Sequence, residues 1–274
     1  MSCRTLRRQT GMTRYATTSQ GDRVAYDLRG GTGPAVVFVT GAGPDRADDP
    51  ITAETAQRVA DAGLTTITFD RLGRGESPAE GVLGLDRELA AVAAMIEVAG
   101  GSAVLVGHSS GCALSLRAAA EGLPVAGLAL WEAPLGDPAE TTRAWADEIE
   151  RLLDAGDHEN AMRHYMKDMP PEWLAEMEAS PAWSAIARTV AAYRADAQSL
   201  AWAQRALEDG TLDVAVPVLA MYGAETFPEM PVAAASIVAA VPKGTEKEMP
   251  GAMHSWEPVP MAAELAKFVR ACSG

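Results

Sequence analysis

AVLVGHSSGCALSLRAAA, residues 103–120, joins three kinds of segment in eighteen positions. AVLV (103–106) is short and wholly apolar, as a strand buried on both faces would be. CALSLRAAA (112–120) has the composition of a helix. Between them Gly107-His108-Ser109-Ser110-Gly111 leaves room only for a tight turn. A buried strand turning directly into a helix is the repeating unit of a parallel sheet with helices on both faces.

The same rhythm extends outward. RVAYDLRG (23–30), AVVFVT (35–40), TTITFD (65–70) and VAGLALW (125–131) read as strands, and residues 51–62 and 85–100 as helices. From about 138 to 210 the pattern is helical only. VPVLAMYG (216–223) then resumes the alternation, with a helix near 231–240, a strand near 245–249 and a last helix over 260–273. The expected organisation is an α/β core over residues 1–134 and 213–274, with an all-helical cap inserted at 135–212. Residues 1–19 read as a partly disordered tail, with Met12 a candidate start.

Composition excludes several partners. Twenty-three Lys and Arg against 37 Asp and Glu give a formal charge of −14, which disfavours nucleic acid and anionic membrane surfaces. No apolar run is long enough to cross a bilayer. Cys3, Cys112 and Cys272 are scattered and lack metal-ligand spacing, so they read as free thiols in a reducing, cytoplasmic setting. No metal site or cofactor is expected. Gly41-Ala42-Gly43 and Gly73-Arg74-Gly75 each lack the third glycine of a dinucleotide fingerprint, which would fall at Arg46 and Pro78. The expected partner is a small-molecule substrate; a homodimer is left open.

Residues 107–111 fit G-x-S-x-G, with Ser109 at the centre. The small flanking residues allow close backbone approach around a strained serine, and the next amide, Ser110, points above its hydroxyl. A serine hydroxyl needs a base. Of the four histidines, His254 stands in PGAMHSWEP (250–258), between the last strand and the last helix. Such loops gather at the carboxyl ends of parallel strands, where Ser109 also lies. His108 is too close to Ser109 in sequence to reach back to it and is expected to pack beside the site.

GHSSG at 107–111, Asp70, Gly73, Gly75 and Ser77 in D-x-x-G-x-G-x-S, His254 in the late loop and the helical insertion together resemble a capped α/β-hydrolase-fold protein over residues 20–274. The resemblance implies a mostly parallel eight-stranded sheet and a triad in the order nucleophile, acid, histidine. It also exposes a departure. The acid of most relatives falls here on Thr226, beside Glu225. The superfamily's second location, at the end of the strand before the cap, offers Glu132 in LALWEAP (128–134), and Glu132 is preferred over Glu225. The oxyanion donors would be the Ser110 and Ala42 amides, although Thr40 stands where many relatives carry histidine. A serine at 109 argues against the dehalogenases and epoxide hydrolases of this fold, which use aspartate. The expected activity is hydrolysis of a small, mainly apolar ester or lactone. A ligand-binding protein without turnover, or a lyase or carbon–carbon bond hydrolase using Ser109 and His254, remains open. Arg71 and Arg74 read as solvated loop residues.

Overall fold

The computed structural model describes residues 13–273. Nine strands form one sheet: β1 (Arg14–Thr17), β2 (Arg23–Arg29), β3 (Ala35–Val39), β4 (Thr65–Phe69), β5 (Ala103–His108), β6 (Val125–Trp131), β7 (Val218–Glu225), β8 (Gly244–Ala252) and β9 (Ser255–Trp256). Their order is β1-β2-β4-β3-β5-β6-β7-β8-β9. The pairs from β4 through β8 are parallel; β1, β2 and β9 join antiparallel at the two edges.

Strand periodicity builds two cores. Val37, Val39, Leu105, Leu128 and Leu130 point to one face, whereas Val36, Phe38, Val104, Val106, Ala129 and Trp131 point to the other. Helices α1 (Pro50–Asp61) and α10 (Pro258–Cys272) cover the second face through Ala56, Val59, Met261, Leu265 and Val269. Helices α2 (Leu85–Val98) and α3 (Ser110–Ala120) cover the first.

The insertion between β6 and β7 consists of α4 (Ala139–Asp154), α5 (His158–Tyr165), α6 (Pro171–Ala179), α7 (Trp183–Arg188), a 3-10 turn (Thr189–Tyr193) and α8 (Arg194–Glu208). Helix α8 packs on both α3 and α4. The apolar interior of the insertion, including Ile149, Met162 and Leu200, is continuous with the core on that face. Trp145 donates to the His164 carbonyl at 3.1 Å and packs on Tyr165, while Trp202 and Trp183 lie under Arg117 and Arg163. These three tryptophans therefore knit helices together.

Two expectations change. Residues 1–12, with Cys3 and Met12, lie outside the described residues, and within the expected partly disordered tail residues 14–17 are strand β1. Its four residues are too few and too exposed to show a period. Pairing with β2 across a turn at Thr18–Asp22 holds it instead, with Arg23 stacked 3.5 Å over the Tyr15 ring and the Tyr15 hydroxyl donating to Glu76 at 3.3 Å. The sheet also has nine strands rather than eight. The two-residue β9 closes a hairpin with β8, pairing Ala252 with Ser255 around Met253 and His254.

The D-x-x-G-x-G-x-S stretch is scaffold. Asp70 accepts the Arg46 and Glu76 amides, and Ser77 donates to the Asp70 carbonyl while accepting the Ala25 amide. The loop after β4 is thereby tied to β2.

Candidate active site

Ser109 lies between β5 and α3 with φ 56° and ψ −129°. The turn closes because nothing larger than glycine fits beside it. A Cβ on Gly111 would stand 2.1 Å from the Val39 carbonyl oxygen, and one on Gly107 would stand 2.7 Å from the Cys112 Cα. Ser110 opens α3, so its N–H has no acceptor within the helix.

Glu132 follows β6 and is 1% exposed. A buried carboxylate is costly unless its oxygens are satisfied. Here Oε1 accepts the Gly223 amide at 2.9 Å and the Thr226 hydroxyl at 2.6 Å, and Oε2 lies 2.6 Å from His254 Nδ1. Burial pushes the Glu132 pKa up, but the hydrogen bonds from His254, Thr226 and Gly223 outweigh it and hold the carboxyl below its ordinary range. Glu225 is exposed and makes no hydrogen bond to His254 among the described residues. Thr226, at the position where the resemblance put an acid, serves as a hydroxyl donor to Glu132. Only its neighbours in space reveal that use.

His254 is the second central residue of the β8–β9 hairpin. Met253 and His254 have φ of 51° and 68°, the sign pattern of a type I′ turn without the usual glycine or asparagine. The hairpin is pinned on several sides. The His254 carbonyl accepts from Trp131 Nε1 at 3.2 Å and meets His108 Nε2 at 3.0 Å, and Trp256 Nε1 donates to Thr55 Oγ1 at 2.8 Å. Among the described residues, the non-glycine residues with positive φ are Ser109, Glu132, Met253 and His254. Each such conformation costs roughly 1–3 kcal/mol and persists only where the surroundings impose it. Strain is thus concentrated at the three residues singled out from the sequence and at one neighbour. Ser109 makes no side-chain hydrogen bond among the described residues.

His108 packs beside the site, its ring 5.0 Å from that of His254 and 5.2 Å from that of Trp256. Burial and the neighbouring His254 lower its pKa to about 4. The unfolded chain therefore takes up a proton near the ordinary histidine value of 6.5 before the folded protein does. The resulting stabilisation is complete above pH 6.5 and is lost as pH falls toward 4, by up to about 3 kcal/mol. Urea denaturation at pH 7 and pH 4.5 should show this loss, and His108→Gln should shrink it.

The loop after β3 passes directly over Ser109: a Cβ on Gly41 would lie 2.7 Å from the Ser109 Cβ. The Ala42 amide is therefore close to the serine, but in this structure it donates to Ser110 Oγ at 3.0 Å. Arg71 and Arg74 are not solvated loop residues. Both are buried, at 1% and 8% exposure, and both bind Asp196 of α8. The carboxylate they recognise is the protein's own. Cys112 is buried against the Trp131 carbonyl, and burial raises its thiol pKa, so it is no nucleophile at neutral pH. Among the described residues, no His, Cys, Asp and Glu grouping could hold a metal ion, and no helix is long and apolar enough to cross a membrane.

Residues 36–271 match the model of the alpha/beta hydrolase family. The chain belongs to that family. No curated protein matches the sequence. Among solved structures, an alpha/beta hydrolase from Sphaerobacter thermophilus is 28% identical with a TM-score of 0.69, covering 93% of this chain and 99% of its own. A thermophilic esterase from Thermogutta terrifontis is 21% identical with a TM-score of 0.64, covering 96% of this chain and all of its own. A haloalkane dehalogenase variant from Bradyrhizobium elkanii is 19% identical with a TM-score of 0.61, covering 95% of this chain and 97% of its own. The last two show the fold alone. Within this alpha/beta hydrolase, β5, β6 and the β8–β9 hairpin carry Ser109, Glu132 and His254 on one end of the sheet.

Proposed function

We propose that this protein is a serine hydrolase that cleaves a small, mainly apolar ester or lactone through an acyl-enzyme. The observation that carries the reading is the 2.6 Å Glu132–His254 contact, held on a strained hairpin at the sheet end that also presents the strained Ser109. With Nδ1 donating to Glu132, the lone pair of His254 resides on Nε2. That nitrogen takes the Ser109 proton as Oγ attacks the carbonyl carbon, and Glu132 stabilises the resulting imidazolium. The Ser110 and Ala42 amides bind the developing oxyanion, the Ala42 N–H sharing its hydrogen bond between Ser110 Oγ and the oxyanion. The protonated His254 gives its proton to the departing alkoxide. Water, deprotonated in turn by His254, then releases the acid and restores Ser109.

Beside the loop that carries Ala42 lies a buried ring cluster. Arg74 donates to the Gly41 carbonyl and lies 5.0 Å from the Tyr193 ring, which packs on Tyr165. Covalent labelling tests the reading. Fluorophosphonate should add once, at Ser109 by peptide mapping, and the adduct should disappear in His254→Ala. Well-folded protein that takes no label would favour ligand binding without turnover. Label with cyanohydrin cleavage and no ester hydrolysis would favour a lyase.

A further inference from the structure

Asp196 is the most completely enclosed acid in the inserted helices, at 0% exposure in the first turn of α8. Oδ1 accepts from Arg71 Nη1 at 2.5 Å and from the Ser110 hydroxyl at 2.6 Å; Oδ2 accepts from Arg74 Nη2 at 2.8 Å. Arg71 also pairs with the fully buried Glu88. Four buried charges are weak evidence for stability, because apolar side chains of similar volume often do as well. Their positions point to a local task instead.

The partners of Asp196 converge on one peptide. Arg74 Nη1 donates to the Gly41 carbonyl at 2.5 Å, and the Ala42 N–H donates to Ser110 Oγ at 3.0 Å. These are the two ends of the same planar Gly41–Ala42 unit. Arg71 Nη1 adds a bond to the preceding Thr40 carbonyl at 3.1 Å. Because the Ser110 hydroxyl donates its hydrogen to Asp196, its oxygen is left to accept from Ala42. A guanidinium on the carbonyl end also polarises the peptide and strengthens its N–H as a donor.

Resting on the serine-hydrolase reading above, we propose that Asp196 is a positioning residue of the oxyanion site: through Arg74 and Ser110 it clamps the Gly41–Ala42 peptide at both ends. The seating of the inserted helix α8 and the aim of the Ala42 amide are then one structural event. Ser110 contributes twice, by its amide and by a hydroxyl that holds the second amide in place.

Ser110→Ala removes the hydroxyl and keeps the amide. It is expected to lower kcat about tenfold, less than deleting an oxyanion donor outright, with KM within about twofold. Inhibition by a boronic acid, whose tetrahedral serine adduct carries the anionic oxygen, should weaken by a similar factor. Asp196→Asn alone leaves Arg74 without its carboxylate, so it is combined with Arg74→Met, which removes one charge of each sign and keeps the buried Arg71–Glu88 pair. That double variant should show the same split of kcat from KM. Hydrogen exchange at Ala42 should quicken at least about tenfold in both proteins. The exchange measurement needs no turnover, so it decides the clamp even if the wild-type protein hydrolyses no ester. Unchanged exchange at Ala42 would overturn the proposal, as would a kcat in Ser110→Ala equal to or above that of the wild type.

Discussion

Ser109→Ala should reduce ester hydrolysis by on the order of 10⁴–10⁶-fold, with the folded protein intact. The side chain makes no hydrogen bond among the described residues, so its removal breaks no structural contact. Alanine also loses nothing at φ 56° that serine possessed, since both carry a Cβ. The thermal midpoint should stay within a few degrees or rise. The residual rate would come from substrate binding and the oxyanion amides, which do not depend on Oγ. A matched pair of measurements, initial rates on short-chain p-nitrophenyl esters and a thermal melt, checks both halves. A variant retaining a tenth of the wild-type rate would remove Ser109 from the mechanism.

Glu132→Gln should be nearly as damaging, about 10⁴-fold in kcat, for a different reason. The glutamine oxygen can still accept from Gly223 and Thr226, so those contacts orient the side chain. Its amide nitrogen then faces His254 Nδ1 and donates to it. Nδ1 must accept, the ring proton moves to Nε2, and the nitrogen meant to take the serine proton no longer has a lone pair. Glu225→Gln, by contrast, should stay within about twofold of wild type, since an exposed glutamate has water as its partner. Rates for the two variants on one ester, measured side by side, separate the candidate acids. The opposite ranking would move the acid to Glu225.

Much of this site was legible in the residue string because its signals are local. Two glycines flank Ser109 because the β5–α3 turn has no space for a Cβ, and that constraint is written within five positions. The apolar runs at 35–39 and 103–106 identify strands covered on both faces for a similar reason: each side chain meets only its own layer. His254 could be placed because a loop following a parallel strand returns to a known end of the sheet.

What stayed hidden depends on contacts between distant segments. Strand β1 is too short and too exposed to show a period, and its pairing with β2 and the contact of Tyr15 with Glu76, 61 residues away, define it. Thr226 looked like a missing acid, and only the fold shows its hydroxyl under Glu132, 94 residues away. Arg71 and Arg74 carry charge, which in a sequence reads as solvent exposure; burial followed from Asp196, more than 120 positions later. The sequence by itself determined the α/β layout, the sharp turn at Ser109 and the helical insertion, since these follow from periodicity and steric need within short windows. The tertiary structure alone decided which glutamate meets His254, and what the Ala42 amide and the two buried arginines hold. Those choices rest on where side chains from separate elements come within hydrogen-bond reach, which spacing along one chain does not encode.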